Sequence, residues 1–187
     1  MAGGHAHVEG GNKKIAILIA VLAAFLALSE TAGKSAQTNY LTLNIEASNL
    51  WAFFQAKTIR QTAVRTAAEE IRAVLGPDMP APQAERVQRQ LAAWQAAVER
   101  WESEPPTQEG RRELMARAQA AEARRDRAFA AYHQFEYSSA AYQLAIVLAS
   151  ASVVTGVAML GFAAGGLGIV GIAFALLGWI APTLIHL

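Results

Sequence analysis

Glu30 is the first residue whose chemistry needs explaining. It follows the unbroken apolar run IAILIAVLAAFLAL at residues 15–28. An ionisable side chain at membrane depth is costly and faces protein or a water-filled cavity by default, which makes Glu30 a functional candidate. The plainer alternative puts it at the headgroup level, paired with Lys34 one turn on as an i,i+4 contact. An apolar run of fourteen residues favours that plainer alternative.

Further along, Lys57 and Gln61 interrupt an otherwise apolar helical stripe, as polar layers do where they set register or oligomer state in coiled coils. Equally, they mark a place where the stripe drifts to the surface. His5 and His7 in GGHAHVEGG supply too few ligands, on too loose a frame, for a metal site. His133 and His186 stand singly near predicted interfaces and read as plain surface residues. The run GGLGIVG at residues 165–171 superficially matches a dinucleotide fingerprint. It lacks the preceding strand and the later acidic residue, so no nucleotide site follows. Scattered Ser and Thr form no nucleophile–base constellation. No catalytic, cofactor or metal residue is named, and the chain reads as a non-enzyme.

Composition explains why the rest must be membrane and helix. The chain is 53% hydrophobic and 17% charged, below the roughly 25% charge of soluble domains. The deficit is local, because no Asp, Glu, Lys or Arg follows Glu136. With no cysteine, disulfides and thiol chemistry are excluded. A net charge of +1 gives no reason to expect nucleic acid as a partner.

Three spans follow from the apolar stretches. The first, over residues 15–33, needs the segment after Leu28 to reach the roughly 20 residues of a bilayer crossing. A cleaved signal peptide ending near Ala27, Leu28 and Ser29 competes, but the helical pattern runs on past that point. Residues 138–187 hold enough uncharged chain for two spans, at about 140–162 and 167–184, with Gly165 and Gly166 at the expected turn. Tyr137, Tyr142 and Trp179 lie near the span ends, as an aromatic belt requires. Gly161 with Gly165, and Ala164 with Gly168, are small residues four apart that let helices approach closely. Lys13 and Lys14 vote for an inside N-terminus. Lys34, Arg124, Arg125 and Arg127 vote for a cytoplasmic middle segment, and they outnumber the two lysines.

Residues 1–14 are expected to form a flexible tail, and residues 34–137 an extramembrane helical hairpin. Its first helix, 34–75, carries a heptad seam reading Leu43, Leu50, Lys57, Val64, Ile71 and Ala47, Phe54, Gln61, Ala68, Leu75. Gly76, Pro77, Pro80 and Pro82 break the chain, and a second helix is expected at 83–103. Pro105 and Pro106 end it, with Thr107 as the expected cap of a third helix over 107–137. The first helix rises roughly 60 Å, and the third alone covers roughly 45 Å, so the second and third must run nearly end to end. The fold expected is all-α: three transmembrane helices with a long coiled-coil-like hairpin whose return arm is broken. So thin a hairpin cannot enclose Trp51, Phe54, Trp94 and Trp101. Leu43, Leu50, Trp51, Phe54, Lys57 and Gln61 are therefore the expected oligomer interface.

The segment ALSETAGKSAQTNYLTLNIEASNLWAFFQAKTIRQT at residues 27–62 resembles a bacterial family of small membrane proteins, domain of unknown function 4337. The recognisable elements are Glu30 with Gly33 and Lys34, then IEASNLWAFFQAK at residues 45–57. The three-span plan is similar too. The resemblance implies a bacterial inner-membrane location and brings no activity with it. The expectation is an oligomeric scaffold or docking component, in contact with lipid, its own copies and another membrane or cytoplasmic protein. The rival is an oligomeric channel with Glu30 near the pore.

Overall fold

The computed structural model describes residues 5–74 and 79–185, with side chains from Lys13 onward. Four helices follow in order, α1 His5–Val74, α2 Ala81–Glu102, α3 Arg111–Thr155 and α4 Ala158–Ile180. No strand occurs among the described residues, so the fold is all-α. α1, α3 and α4 are each long and apolar enough to cross a membrane. The chain divides into two compact units, one of Met1–Leu41 with Arg124–Leu187 and the other of Thr42–Ala123. α1 and α3 each contribute to both.

α1 begins at His5, so the stretch expected as a tail is helical from that residue on. Leu75 and the expected break at Gly76 and Pro77 lie outside the described residues, as do the side chains of His5, His7 and His186. α2 starts at Ala81, two residues before the expected position, because the Pro80 carbonyl accepts from the amides of Gln83 (2.9 Å) and Ala84 (3.1 Å).

The start of α3 corrects the expected cap at Thr107. Thr107 and Gln108 instead fold back onto the Glu104 carbonyl, at 3.2 and 3.0 Å, as a turn. Gly110 opens the helix, its carbonyl taking the Leu114 amide at 2.8 Å. Glu113 then reaches back to accept from Ser103 Oγ (2.7 Å) and the Glu104 amide (3.1 Å). The Ser103 bond leads in holding the Glu113 carboxyl below the usual range. A Cβ on Gly110 would lie 2.4 Å from the Glu104 nitrogen and 2.6 Å from the Ser103 Cα, so only glycine fits.

The turn between α3 and α4 corrects a larger expectation. Gly165 and Gly166 lie inside α4, and the chain reverses at Gly156 and Val157. Gly156 takes φ +75°, which ends a helix without the strain a Cβ would add. Hydroxyls finish the cap. Ser152 Oγ donates to the Val157 carbonyl at 3.0 Å, while Thr155 Oγ1 donates to the Ala151 carbonyl at 2.8 Å and accepts from the Val157 amide at 3.3 Å. The backbone groups freed at this helix end are thus met partly by side chains of the same turn.

In the first unit α1, α3 and α4 pack through small residues. Leu22, Tyr142, Ala145, Ala149 and Ala164 form its centre. α4 turns Ala164, Gly168, Gly171 and Gly178 inward. A Cβ would fall 2.8 Å from Leu22 at Gly168, 2.6 Å from the Tyr142 ring at Gly171 and 3.1 Å from the Phe135 ring at Gly178. Phe135 also closes on Gly33 of α1. Of the expected packing glycines, Gly168 is in the seam and Gly161 lies beside Ser152. Gly165 has open space where its side chain would be.

The second unit packs through alanines and leucines flanked by aromatic side chains. Ala47 and Leu50 of α1 meet Leu114, Ala118 and Ala121 of α3, with Trp51 and Phe54 against them. Trp51 Nε1 donates to Glu122 at 3.0 Å. Farther along α1, Val64 and Ala68 share a cavity with Leu91, Trp94 and Val98 of α2.

Candidate functional site

Polar side chains gather at one place in each unit. In the first, α1 places Glu30, Lys34 and Gln37 on one face at helical spacings of four and three. α3 does the same with Tyr132, Glu136, Ser139 and Gln143, at spacings of four, three and four. These two faces line a groove of about 390 Å³, together with Ser29, Gly33, Phe135 and Ala140. Gln143 Nε2 donates to Glu30 Oε1 at 3.4 Å, and Tyr132 Oη donates to Glu136 at 2.5 Å. His133 Nδ1 lies 3.1 Å from the other Glu136 oxygen. Among the described residues Glu30 thus meets Gln143 of the neighbouring helix rather than Lys34, and its side chain stays exposed.

Behind the groove the helices are tied by hydroxyls. Ser29 Oγ and Ser138 Oγ are 2.9 Å apart and buried, and Ser138 Oγ donates to the Gly171 carbonyl at 2.8 Å. One bond chain therefore links α1, α3 and α4. Tyr142 is 1% exposed, and its hydroxyl has no partner among the described residues.

The polar site of the second unit lies where α2 gives way to α3. Lys57 and Gln61, the interrupted layer of the seam, are 5% and 2% exposed, so the stripe does not drift outward there. Gln61 Nε2 donates to the Val98 carbonyl at 3.0 Å and to Glu102 at 3.3 Å, and Gln61 Oε1 accepts from Arg111 at 3.0 Å. Arg111 also holds Thr58 Oγ1 at 3.0 Å and Glu102 at 2.8 Å, and its guanidinium lies 4.9 Å from the Phe54 ring centre. Lys57 Nζ is 4.0 Å from Glu104. Burial pushes the Glu102 carboxyl up. Hydrogen bonds from Gln61 and Arg112 and the charge of Arg111 outweigh it, leaving the group below its ordinary value.

Leu43 and Leu50 are buried and Trp51 and Phe54 half-buried, all within a single chain. The face expected to meet a second copy is thus largely filled by the chain's own helices. Sequence reasoning missed Gln143, Ser139 and Glu136, though polar residues at helical spacing on α3 were there to be read. It also missed Arg111 and Glu102, for which no local pattern exists. Chemically, the groove offers two carboxylates, one ammonium, amides and hydroxyls. No group of three metal-ligating side chains occurs among the described residues.

No curated protein and no solved structure matches the chain. The family model that does match, over residues 11–181, contains both polar sites and all three apolar helices, and the chain belongs to the family described as Domain of unknown function (DUF4337).

Proposed function

We propose that this protein is a non-enzymatic scaffold of the bacterial inner membrane that associates with its own copies and docks or assists another membrane or cytoplasmic component. The observation that carries the reading is Glu30. Its carboxylate is exposed, beside Gln143 and Ser139, on the outside of helices apolar enough to span a bilayer. At membrane depth hydrocarbon does not solvate such a group, and the scaffold reading covers it with the surface of a second protein chain. The middle segment is a cytoplasmic coiled-coil-like hairpin with its return arm broken at residues 103–110. Support comes from the order of contacts along α1: Ala68 near Leu91 and Trp94, Gln61 with Val98 and Glu102, then Leu50 and Ala47 with Leu114 and Ala118.

A channel with Glu30 near its pore is the second reading, favoured by the same exposed carboxylate. Light scattering on the detergent-solubilised protein, corrected for bound detergent, tests the first. A multiple of the 20.0 kDa chain mass is expected, and a monomer would overturn both readings. Ion flux in reconstituted vesicles separates them. The scaffold predicts no flux that Glu30→Gln alters, and the channel predicts one that it does.

A further inference from the structure

The outer face of α1 carries a second heptad seam. Its residues alternate at spacings of four and three: Ile45, Asn49, Ala52, Ala56, Ile59, Ala63 and Thr66. All seven are exposed, with Ile45 at 61% and Ile59 at 68%. The first seam lies on the opposite side of the helix and is filled by α2 and α3. In heptad terms Ile45, Ala52, Ile59 and Thr66 take one core position, and Asn49, Ala56 and Ala63 the other. None is charged, and Glu70 ends the run. A helix face outside the apolar segment that stays uncharged for six turns is not built for water.

We propose that this face pairs with the same face of a second copy, parallel and in register, so that Ile45, Ala52 and Ile59 each meet their own counterpart. The inference rests on the self-association proposed above and names its surface. Three observations select a second copy as the occupant. The first is charge. A symmetric seam sets each core residue against itself, so any charge would repel its twin, and the core positions carry none. Nor do the flanks clash, since Arg60 falls opposite Gln55 in such a pairing.

The second is Asn49. An Asn at this core position specifies parallel, in-register helix pairs at a cost in stability. Copies inserted in one membrane with one orientation carry α1 in the same chain direction, as that pairing needs. The third is area. The strip is about 33 Å long and about 10 Å wide. That is small against the roughly 800 Å² per partner of a stable soluble complex. A freely diffusing partner gains little there. A copy confined to the same bilayer benefits from the raised effective concentration.

The chain has no cysteine, so single-cysteine variants report on pairing directly. Ala52→Cys and Ala63→Cys, oxidised in native membranes, should each give a disulfide-linked dimer. Gln88→Cys, exposed on α2, should not. Requiring both sites excludes an antiparallel pair centred on Ala52, which would link position 52 alone. Adding Ile59→Arg to Ala52→Cys should cut cross-linking by roughly tenfold, because two guanidinium groups then face each other. Ile59 is exposed, so the variant still folds, which an unchanged helical circular-dichroism spectrum of the solubilised protein would verify. If the particle is oligomeric by mass yet neither cysteine cross-links above the Gln88→Cys background, the seam is wrong and self-association survives. A monomeric particle overturns both.

Discussion

The two units share alanines at their centres but differ in what surrounds them. In the first, close approach does the work: Gly33, Gly168, Gly171 and Gly178 receive Phe135, Leu22 and Tyr142, and hydroxyl pairs tie the backbones. In the second, long side chains interlock. Leu50, Trp51, Phe54 and Leu114 fill the seam, and Arg111 spans from Thr58 to Glu102. The contrast follows from the surroundings each segment's composition suits. Where the outside is as apolar as the inside, burying more methylene groups gains little, and helices pair through dispersion contacts, small residues and short hydrogen bonds. Where the outside is water, apolar area and charged networks both count.

Breaking the small-residue unit should have the largest effect. Gly171→Ala drives a methyl group into the Tyr142 ring, and overpacking of this kind costs about 1–3 kcal/mol. The thermal midpoint of the protein in detergent should fall clearly. Gly165→Ala, six residues away on an open face, should leave it nearly unchanged. Equal losses at the two glycines would mean that α4 packs elsewhere.

In the second unit, Arg111→Ala leaves Gln61 and Glu102 short of a donor and removes the clamp over the α2–α3 break. Leaving such groups unpaired costs about 1–3 kcal/mol, toward the low end here because Arg111 is partly exposed. Amide exchange at residues 98–114 should speed up, while residues 158–180 keep their protection. Uniform loss of protection would deny the units their separate stabilities.

Acid probes the same clamp more gently. The folded Glu102 carboxyl titrates below its ordinary value of about 4.3. Its contribution is therefore fully present above that value and is lost as pH falls through it and through the lower folded value. Between pH 6 and pH 3, the wild-type midpoint should drop more than that of Glu102→Gln. Parallel curves would remove Glu102 from the network.

Much of this architecture is legible in the residues. Runs of apolar side chains locate the three long helices, and the 3–4 spacing of Leu43, Ala47, Leu50, Phe54, Lys57 and Gln61 marks the face of α1 that faces inward. The second seam is equally periodic, yet its alanines and threonine carry too little hydropathy to stand out beside the first. Turns were harder. Two adjacent glycines look like a break, but α4 needs Gly168, Gly171 and Gly178 for contact, and glycines in such a helix do not by themselves end it. Gly156 ends α3 because Ser152 and Thr155 are spaced to satisfy the freed backbone, a pattern of hydroxyls rather than of breakers.

By itself, then, the sequence determined what depends on neighbours along the chain: helical periodicity, the segregation of charge, and the absence of cysteine, which rules out thiol chemistry. Only the tertiary structure decided which polar groups meet. Glu30 turned to Gln143 rather than Lys34, and Gln61 joined Arg111 and Glu102 (residues fifty and forty-one positions away in the chain). The physical reason is that periodicity fixes a residue's face on its own helix, whereas its partner depends on how the helices are staggered. In the first unit that stagger is set by a few glycines whose missing side chains give no hydropathy signal.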